Sequence, residues 1–376
     1  MKIKWRALVF CGVAALVGGC SQMGYFVQAA QGQFSLLAEA QPIDDWLARS
    51  DLNDTLRDKL TKVKEIRAFA AKELALPDND TFTTYADLKR PFVMWNVVAT
   101  PELSLKPLQW CFPVAGCVNY RGYYSKDDAQ SYAKELRAEH YDVEVSGVPA
   151  YSTLGWFRDP VLSTFIKYPD GEVARMVFHE LAHQVVYVPG DSRFNESFAV
   201  AVEEAGVERW LAMYGNDKMR KTYAEYEGRK RDFLALLMKH RKALEENYKR
   251  DASDTDKRKE KAAIFQSLKD DYQALKASWG GYSGYDRWFA EPLSNAHLSA
   301  IATYHDFVPG FKALLMQQKR FDKFYQAVKR LASLDENERH RQLAAMSPPP
   351  TMAAGPDGAE AMPVRLDAKP EQAAAQ

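Results

Sequence analysis

The stretch His179-Glu180-Leu181-Ala182-His183 constrains this chain more than any other. On a helix, two histidines four residues apart project from one face about a turn apart, so both can reach one metal ion. The carboxylate after the first histidine is placed to act as general base on a metal-activated water. Five residues are too few to stand alone, and the support begins one loop later, at Asn195-Glu196-Ser197-Phe198-Ala199. A catalytic zinc takes three protein ligands and keeps one position open. Glu196 is the expected third ligand, because it begins a new helix after a short loop that can fold back on the first. Glu203, seven residues on, shares its helical face and is placed to receive an N–H from a ligating histidine. Glu204 is rotated by about a hundred degrees and is expected to serve structure. The expected cofactor is a single Zn2+. Two histidines merely packed in a core are the weaker reading, since histidine has only an intermediate preference for burial.

The apolar pattern around this motif points to an α+β chain, mainly helical, with a small sheet upstream of the metal-binding helix. Helices are expected over Tyr25–Ala40 and Asp51–Ala75, the second with Leu56, Leu60, Val63, Ile66, Phe69 and Ala70 as its buried stripe. The sheet is expected within about 91–157, from strands over Pro91–Thr100, Cys117–Tyr124 and Tyr141–Gly147 and an edge strand over Tyr151–Phe157, with a helix over Asp127–His140. The metal-binding helices span about 171–214. A charged helical pair follows over 218–278, turning at Asp251–Asp254, then helix over Asn295–Ile301 and Val308–Leu334. The Pro/Ala-rich stretch 347–376 has the composition of a disordered tail, leaving a body over 20–346.

The N-terminus is the second informative stretch. Lys2, Lys4 and Arg6 precede a short apolar run, Ala7–Gly18, too brief to anchor across a bilayer, so residues 1–19 read as a signal peptide. Over the whole chain Lys plus Arg equals Asp plus Glu at 50 each, and without those three the balance is 47 against 50, or −3. Nothing there suggests a nucleic-acid partner. Cys111 and Cys117 are the only thiols besides Cys11 and Cys20. In an oxidising compartment they are an expected local disulfide rather than metal ligands, as no histidine lies nearby.

Three resemblances sharpen these expectations. Val17-Gly18-Gly19-Cys20 resembles the lipobox of bacterial lipoproteins, in which the cysteine is lipidated. Ser21 after it implies the outer membrane, so the body would face the periplasm on a lipid anchor at Cys20. His-Glu-Leu-Ala-His-Gln over 179–184, then Asn-Glu-Ser-Phe-Ala and Glu203, resembles the gluzincin metallopeptidases, in particular the aminopeptidase N-like enzymes. The chain as a whole, including Trp110–Tyr124 and Ala150–Asp159, is similar to bacterial lipoproteins labelled predicted aminopeptidases. The resemblance implies a zincin-like core, zinc ligation by His179, His183 and Glu196, and Glu180 as base. Two departures stand out. The loop between His183 and Glu196 is shorter than in aminopeptidase N relatives, and their Gly-x-Met-Glu-Asn strand, which grips the substrate amine, is missing. Tyr151–Phe157 occupies its place.

The remaining polar candidates are Tyr304, expected to stabilise the oxyanion and equally readable as a core tyrosine, with His305, Asn295 and His297 nearby. His140, His240 and His340 are expected at the surface. The expected function is hydrolysis of peptides by a zinc-activated water, most simply as an aminopeptidase. A zinc endopeptidase or cell-wall peptidase is the alternative enzyme, and a zinc-binding outer-membrane scaffold the alternative of another class.

Overall fold

Helix α3 (Asp54–Leu74) turns a long apolar stripe into the core. Asn53 caps it, accepting from the Leu56 N–H at 2.8 Å, and Ala75 ends it in the left-handed region at φ 51°. Its buried stripe runs through Leu60, Val63, Ile66, Phe69, Ala70 and Leu74. The computed structural model describes residues 24–112, 116–299 and 306–347. The leader with Cys20, Tyr304 with His305, and the tail from 348 on lie outside the described residues.

The α3 stripe packs on α5 (Asp170–Val185), where the rings of Phe69 and Phe178 stand 5.8 Å apart. Beside α5 runs α6 (Ser192–Tyr214). Its other side is covered by α10 (Val308–Gln318) and α11 (Phe321–Ala332), whose Phe311, Phe324 and Tyr325 surround Phe198. Helix α6 is therefore enclosed on several sides, with every residue from Phe194 to Glu203 except Glu196 buried. The single helix expected over Val308–Leu334 is in fact broken. Lys319, at φ 58°, takes the left-handed conformation, and the chain restarts so that α11 can turn its apolar face onto α6. A further helix, α12 (Glu336–Met346), lies beyond the expected helical limit.

The main sheet is antiparallel, in the order β6 (Arg121–Tyr123), β3 (Met94–Pro101), β7 (Tyr141–Val148). Along β3 the period of two separates its faces. Trp95, Val97 and Ala99 pack with Ala129, Ala133 and Leu136 of α4 (Lys126–Ala138). Met94 and Asn96 face the opposite way, into the cavity beside α5. The expected strand at Tyr151–Phe157 does not form. Leu154 (φ 57°) and Gly155 (φ 81°) turn the chain there. Asp159 pins that turn, accepting from Thr153 N at 2.8 Å and Thr153 Oγ1 at 2.7 Å, and Trp156 and Phe157 are left exposed. The wall toward the cleft is the end of β7 at Val148 with Pro149, Ala150, Tyr151 and Ser152 after it.

A second sheet joins β1 (Gln41–Pro42), β2 (Thr84–Ala86) and β8 (Val161–Leu162). Strands β4 (Trp110–Phe112) and β5 (Gly116–Val118) form a hairpin closed by a Cys111–Cys117 disulfide. Its Gly116, at φ +72°, abuts the loop between α5 and α6. A Cβ there would lie 2.6 Å from Gly190 N, so only glycine allows the approach.

Helices α7 (Asp217–Lys249) and α8 (Asp254–Ser278) make the expected charged hairpin, each N-capped, by Asn216 and Ser253. Phe233, Leu237, Leu244, Ile264, Phe265 and Leu268 form its own apolar seam, joined by Leu105 and Leu298. Leu298 lies on α9, helical over 295–299 among the described residues. His240 is buried in this seam with Nε2 2.9 Å from Asp271 Oδ2, and is not a surface residue as expected. His340 of α12 is likewise drawn inward, to Asp191 at 2.8 Å. His140 is exposed. His297 is buried, with Nδ1 facing Ser294, and Asn295 ties α9 to the backbone at 102–104, so neither reaches the cavity beside α5. The chain is thus α+β, mainly helical with small sheets, and no helix among the described residues is long and apolar enough to cross a membrane.

Candidate metal centre

Arg175, His179, His183 and Tyr187 succeed one another at intervals of four along and just beyond α5, and all four line one cavity of about 380 Å³. Helix α6 forms the facing wall with Asn195, Glu196, Val200 and Glu203. The connection between the two helices is short and held rigid. Asn195, 1% exposed, donates to Val188 O and accepts from Val188 N, both at 2.8 Å. Asp191 caps α6 by accepting from Phe194 N at 3.0 Å, and is itself held by buried Arg339 at 2.8 Å. These contacts fix the first turn of α6, and with it Glu196, against α5.

The result is a convergence of three donor atoms. His179 Nε2 and His183 Nε2 are 3.2 Å apart. Glu196 Oε2 lies 3.3 Å from the first and 3.6 Å from the second. Ligand atoms about 2.0–2.1 Å from a tetrahedral zinc sit about 3.3 Å from one another, so the triangle fits that ion. These three residues form a group that could hold a metal ion.

The electrostatics agree with the geometry. Burial disfavours charge on His179, yet Glu196 and Glu203 outweigh it and raise its pKa to about 10. Burial also opposes ionisation of Glu196, but the two histidines hold its carboxyl far below the usual range. The pocket is built to surround positive charge. Glu203, 1% exposed, stands 2.7 Å from His179 Nδ1. Against the effect of burial, Arg175, His179 and Lys230 keep its pKa down to about 2. An anionic Glu203 accepts the Nδ1–H of His179, so the proton that a metal ion would displace is the one on Nε2, at the convergence point. His183 Nδ1 is buried without a hydrogen-bond partner among the described residues.

Glu180 lines the same cavity and is 7% exposed. Burial raises its pKa first; the two histidines lower it, while Glu196 and Asp159 push it up again. Glu204 points away as expected, to Lys230 at 3.5 Å and to Lys312.

Four contributors escaped the sequence reading. Arg175 donates to Glu203 at 3.2 Å and to Glu172 at 2.8 Å, and its place one turn before His179 was a usable signal. Tyr187, one turn after His183, was equally within reach. Lys230 of α7, 3.8 Å from Glu203, and Tyr120, after the disulfide hairpin, are remote in sequence and carry no local signature. Both tyrosines are held protonated by burial, reinforced by the nearby Glu196. Glu180, Glu196 and Glu203 are the carboxylates among the described residues that line the cavity.

Comparison with curated proteins and with solved structures returns no match. A family model described as "Putative aminopeptidase" matches residues 24–343, from the first described helix into α12, and the chain belongs to that family.

Proposed function

We propose that this protein is a zinc-dependent peptidase of the aminopeptidase family, with one Zn2+ held by His179, His183 and Glu196. The observation that carries the reading is the triangle of donor atoms at 3.2, 3.3 and 3.6 Å. A zinc ion there would polarise the scissile carbonyl and lower the pKa of water from 15.7 toward about 7. The protein side chains do the rest. Glu180, its pKa raised by burial, is suited to accept a proton from the attacking water and return it to the leaving amine. Glu203 holds the proton on His179 Nδ1 and so fixes which nitrogen faces the metal. Oxyanion stabilisation, expected of Tyr304, is open equally to the phenols of Tyr120 and Tyr187, which are O–H donors in the cavity wall. The leader and Cys20 support a lipid-anchored protein of the bacterial cell envelope, at the outer membrane and facing the periplasm.

One observation favours the endopeptidase alternative. Gripping a substrate's free amine calls for a carboxylate not otherwise engaged, and the cavity carboxylates already serve as metal ligand, histidine partner and base. Hydrolysis of a free-amine peptide but not its N-acetylated form supports the aminopeptidase, and equal hydrolysis of both supports the endopeptidase. The peptidase reading itself is tested by Glu180→Gln, which should retain zinc and lose about a hundredfold or more in kcat. Unchanged turnover removes Glu180 as base. Bound zinc without hydrolysis of any member of a broad peptide library means a zinc-binding scaffold.

A further inference from the structure

Helix α1, residues 24–39, carries a single charged side chain, Glu39. Its inner face packs against the body of the protein. Tyr25 stacks on Phe112 with centroids 5.6 Å apart and meets Tyr123 edge-on. Gln28 accepts from Tyr124 N at 3.2 Å, Gln33 accepts from the hydroxyls of Tyr124 and Tyr151, and Leu36 is 3% exposed in the main core. The outer face is a different surface. Phe26, Val27 and Phe34 are 41%, 57% and 64% exposed, with Ala30, Gln31, Ser35 and Ala38 exposed between and beyond them. A helix that meets only water carries charge on such a face, and an uncharged, partly aromatic one marks a contact surface.

We propose that the outer face of α1 seats in the headgroup boundary of a phospholipid bilayer, with the helix lying along the membrane plane. The occupant follows from where the helix begins. Gly24 is four residues from Cys20, a link that spans at most about 14 Å when fully extended. A lipid on Cys20 therefore holds the first turn of α1 at the interface, where an apolar helix face adds a second membrane contact to the acyl anchor. With no lysine or arginine on the helix, the seat depends on apolar burial and not on anionic headgroups, so it is insensitive to salt. Through Gln33 the same helix holds Tyr151, a wall residue of the metal cavity, so the seat also sets how the cavity faces the membrane. The inference rests on the lipidation reading of the leader and is independent of the peptidase reading.

The test uses the full chain extracted from membranes and reconstituted into phosphatidylcholine vesicles, with an environment-sensitive fluorophore on Phe34→Cys. Cys111 and Cys117 are already bonded to each other and do not compete for the label. Lipids brominated near the glycerol end of the acyl chain should quench the residue-34 label by more than about half. A label on Lys242→Cys of α7, whose side chain is 78% exposed, should stay unquenched. Val27→Cys provides a second site on the same face should the Phe34 variant fold poorly. Solvent-like, unquenched emission from the α1 labels overturns the proposal. So does equal quenching at residues 34 and 242. A blue-shifted but unquenched α1 label also overturns it, because that signals a protein partner in place of lipid.

Discussion

Replacing Glu203 by glutamine keeps the volume of a fully enclosed side chain and removes its charge from His179. Glu203 Oε2 lies 2.7 Å from His179 Nδ1, so the substitution leaves a neutral acceptor where an anion fixed the ring. Losing such an outer partner lowers metal affinity about 10- to 100-fold, or about 1.4–2.7 kcal/mol. Fold stability should suffer less than the roughly 3–5 kcal/mol expected when a buried pair loses one member. Arg175 keeps Glu172 at 2.8 Å, and Lys230 keeps Glu204 and Glu227 at 3.5 Å. The pH dependence of the metal-free protein has a definite sign. Glu203 is depressed from 4.5 to about 2, so its contribution is fully present above 4.5 and lost as pH falls through 2. His179 is raised from 6.5 to about 10, so its share is fully present below 6.5 and lost as pH rises through 10. The stability gap between wild type and Glu203→Gln should thus be widest between pH 4.5 and 6.5, close as pH falls through 2, and narrow without vanishing as pH rises through 10, where Arg175 still pairs with Glu203. Competition against a fluorescent zinc chelator measures the affinity, and urea unfolding of the stripped protein across pH measures the gap. Unaltered zinc affinity, or a gap that grows below pH 4, refutes the assigned role.

Three further predictions follow from the same geometry. Arg339→Met empties the buried partnership with Asp191, the cap of α6, and should cost about 3–5 kcal/mol in chemical unfolding while weakening zinc binding. A double-mutant cycle with Asp191→Asn should show strong coupling if the pair acts as a unit. Glu144, half-buried on β7, has an Oε2 without a partner among the described residues, and burial with nearby Glu291 raises its pKa from 4.5 to about 7. Its protonated form is the one the fold favours, so that stability is present below 4.5 and lost as pH rises through 7. Glu144→Gln should therefore stabilise by about 1–2 kcal/mol above pH 7 and leave acid stability unchanged, read by melting across pH. Replacing both Cys111 and Cys117 by alanine opens a loop of six-residue separation and should cost about 2 kcal/mol on chain entropy alone. Because the hairpin abuts Gly190, part of that loss should also appear as weaker zinc affinity.

Local chemistry made much of this molecule legible. The histidines four apart, the Asn-Glu after a short loop and the carboxylate seven residues on all depend on helical spacing, which a sequence displays directly. The Asn195 clamp explains physically why an asparagine precedes the expected ligand: its amide pairs with both the N–H and the C=O of Val188 in the loop. The charged α7–α8 hairpin and its turn were visible for the same reason. The errors arose where tertiary contacts override local pattern. Tyr151–Phe157 has strand-like composition, yet the Thr153–Asp159 clamp and two left-handed residues make it a turn. Lys319 breaks a helix without glycine or proline, because α11 must rotate to cover Phe198. His240 and His340 sit among charged neighbours in sequence, but Asp271 and Asp191 draw them inward. Lys230 and Tyr120 reach the cavity beside α5 only through the folded arrangement of the chain, so no spacing rule could have named them.

The central claim is most directly tested by stripping the purified full chain of metal with a chelator and following peptide hydrolysis as zinc is returned. The account predicts that activity disappears on stripping and is restored by about one zinc per chain, with restored zinc binding but no turnover in Glu180→Gln. Hydrolysis that survives complete removal of metal, or a protein that takes up no zinc, would contradict it.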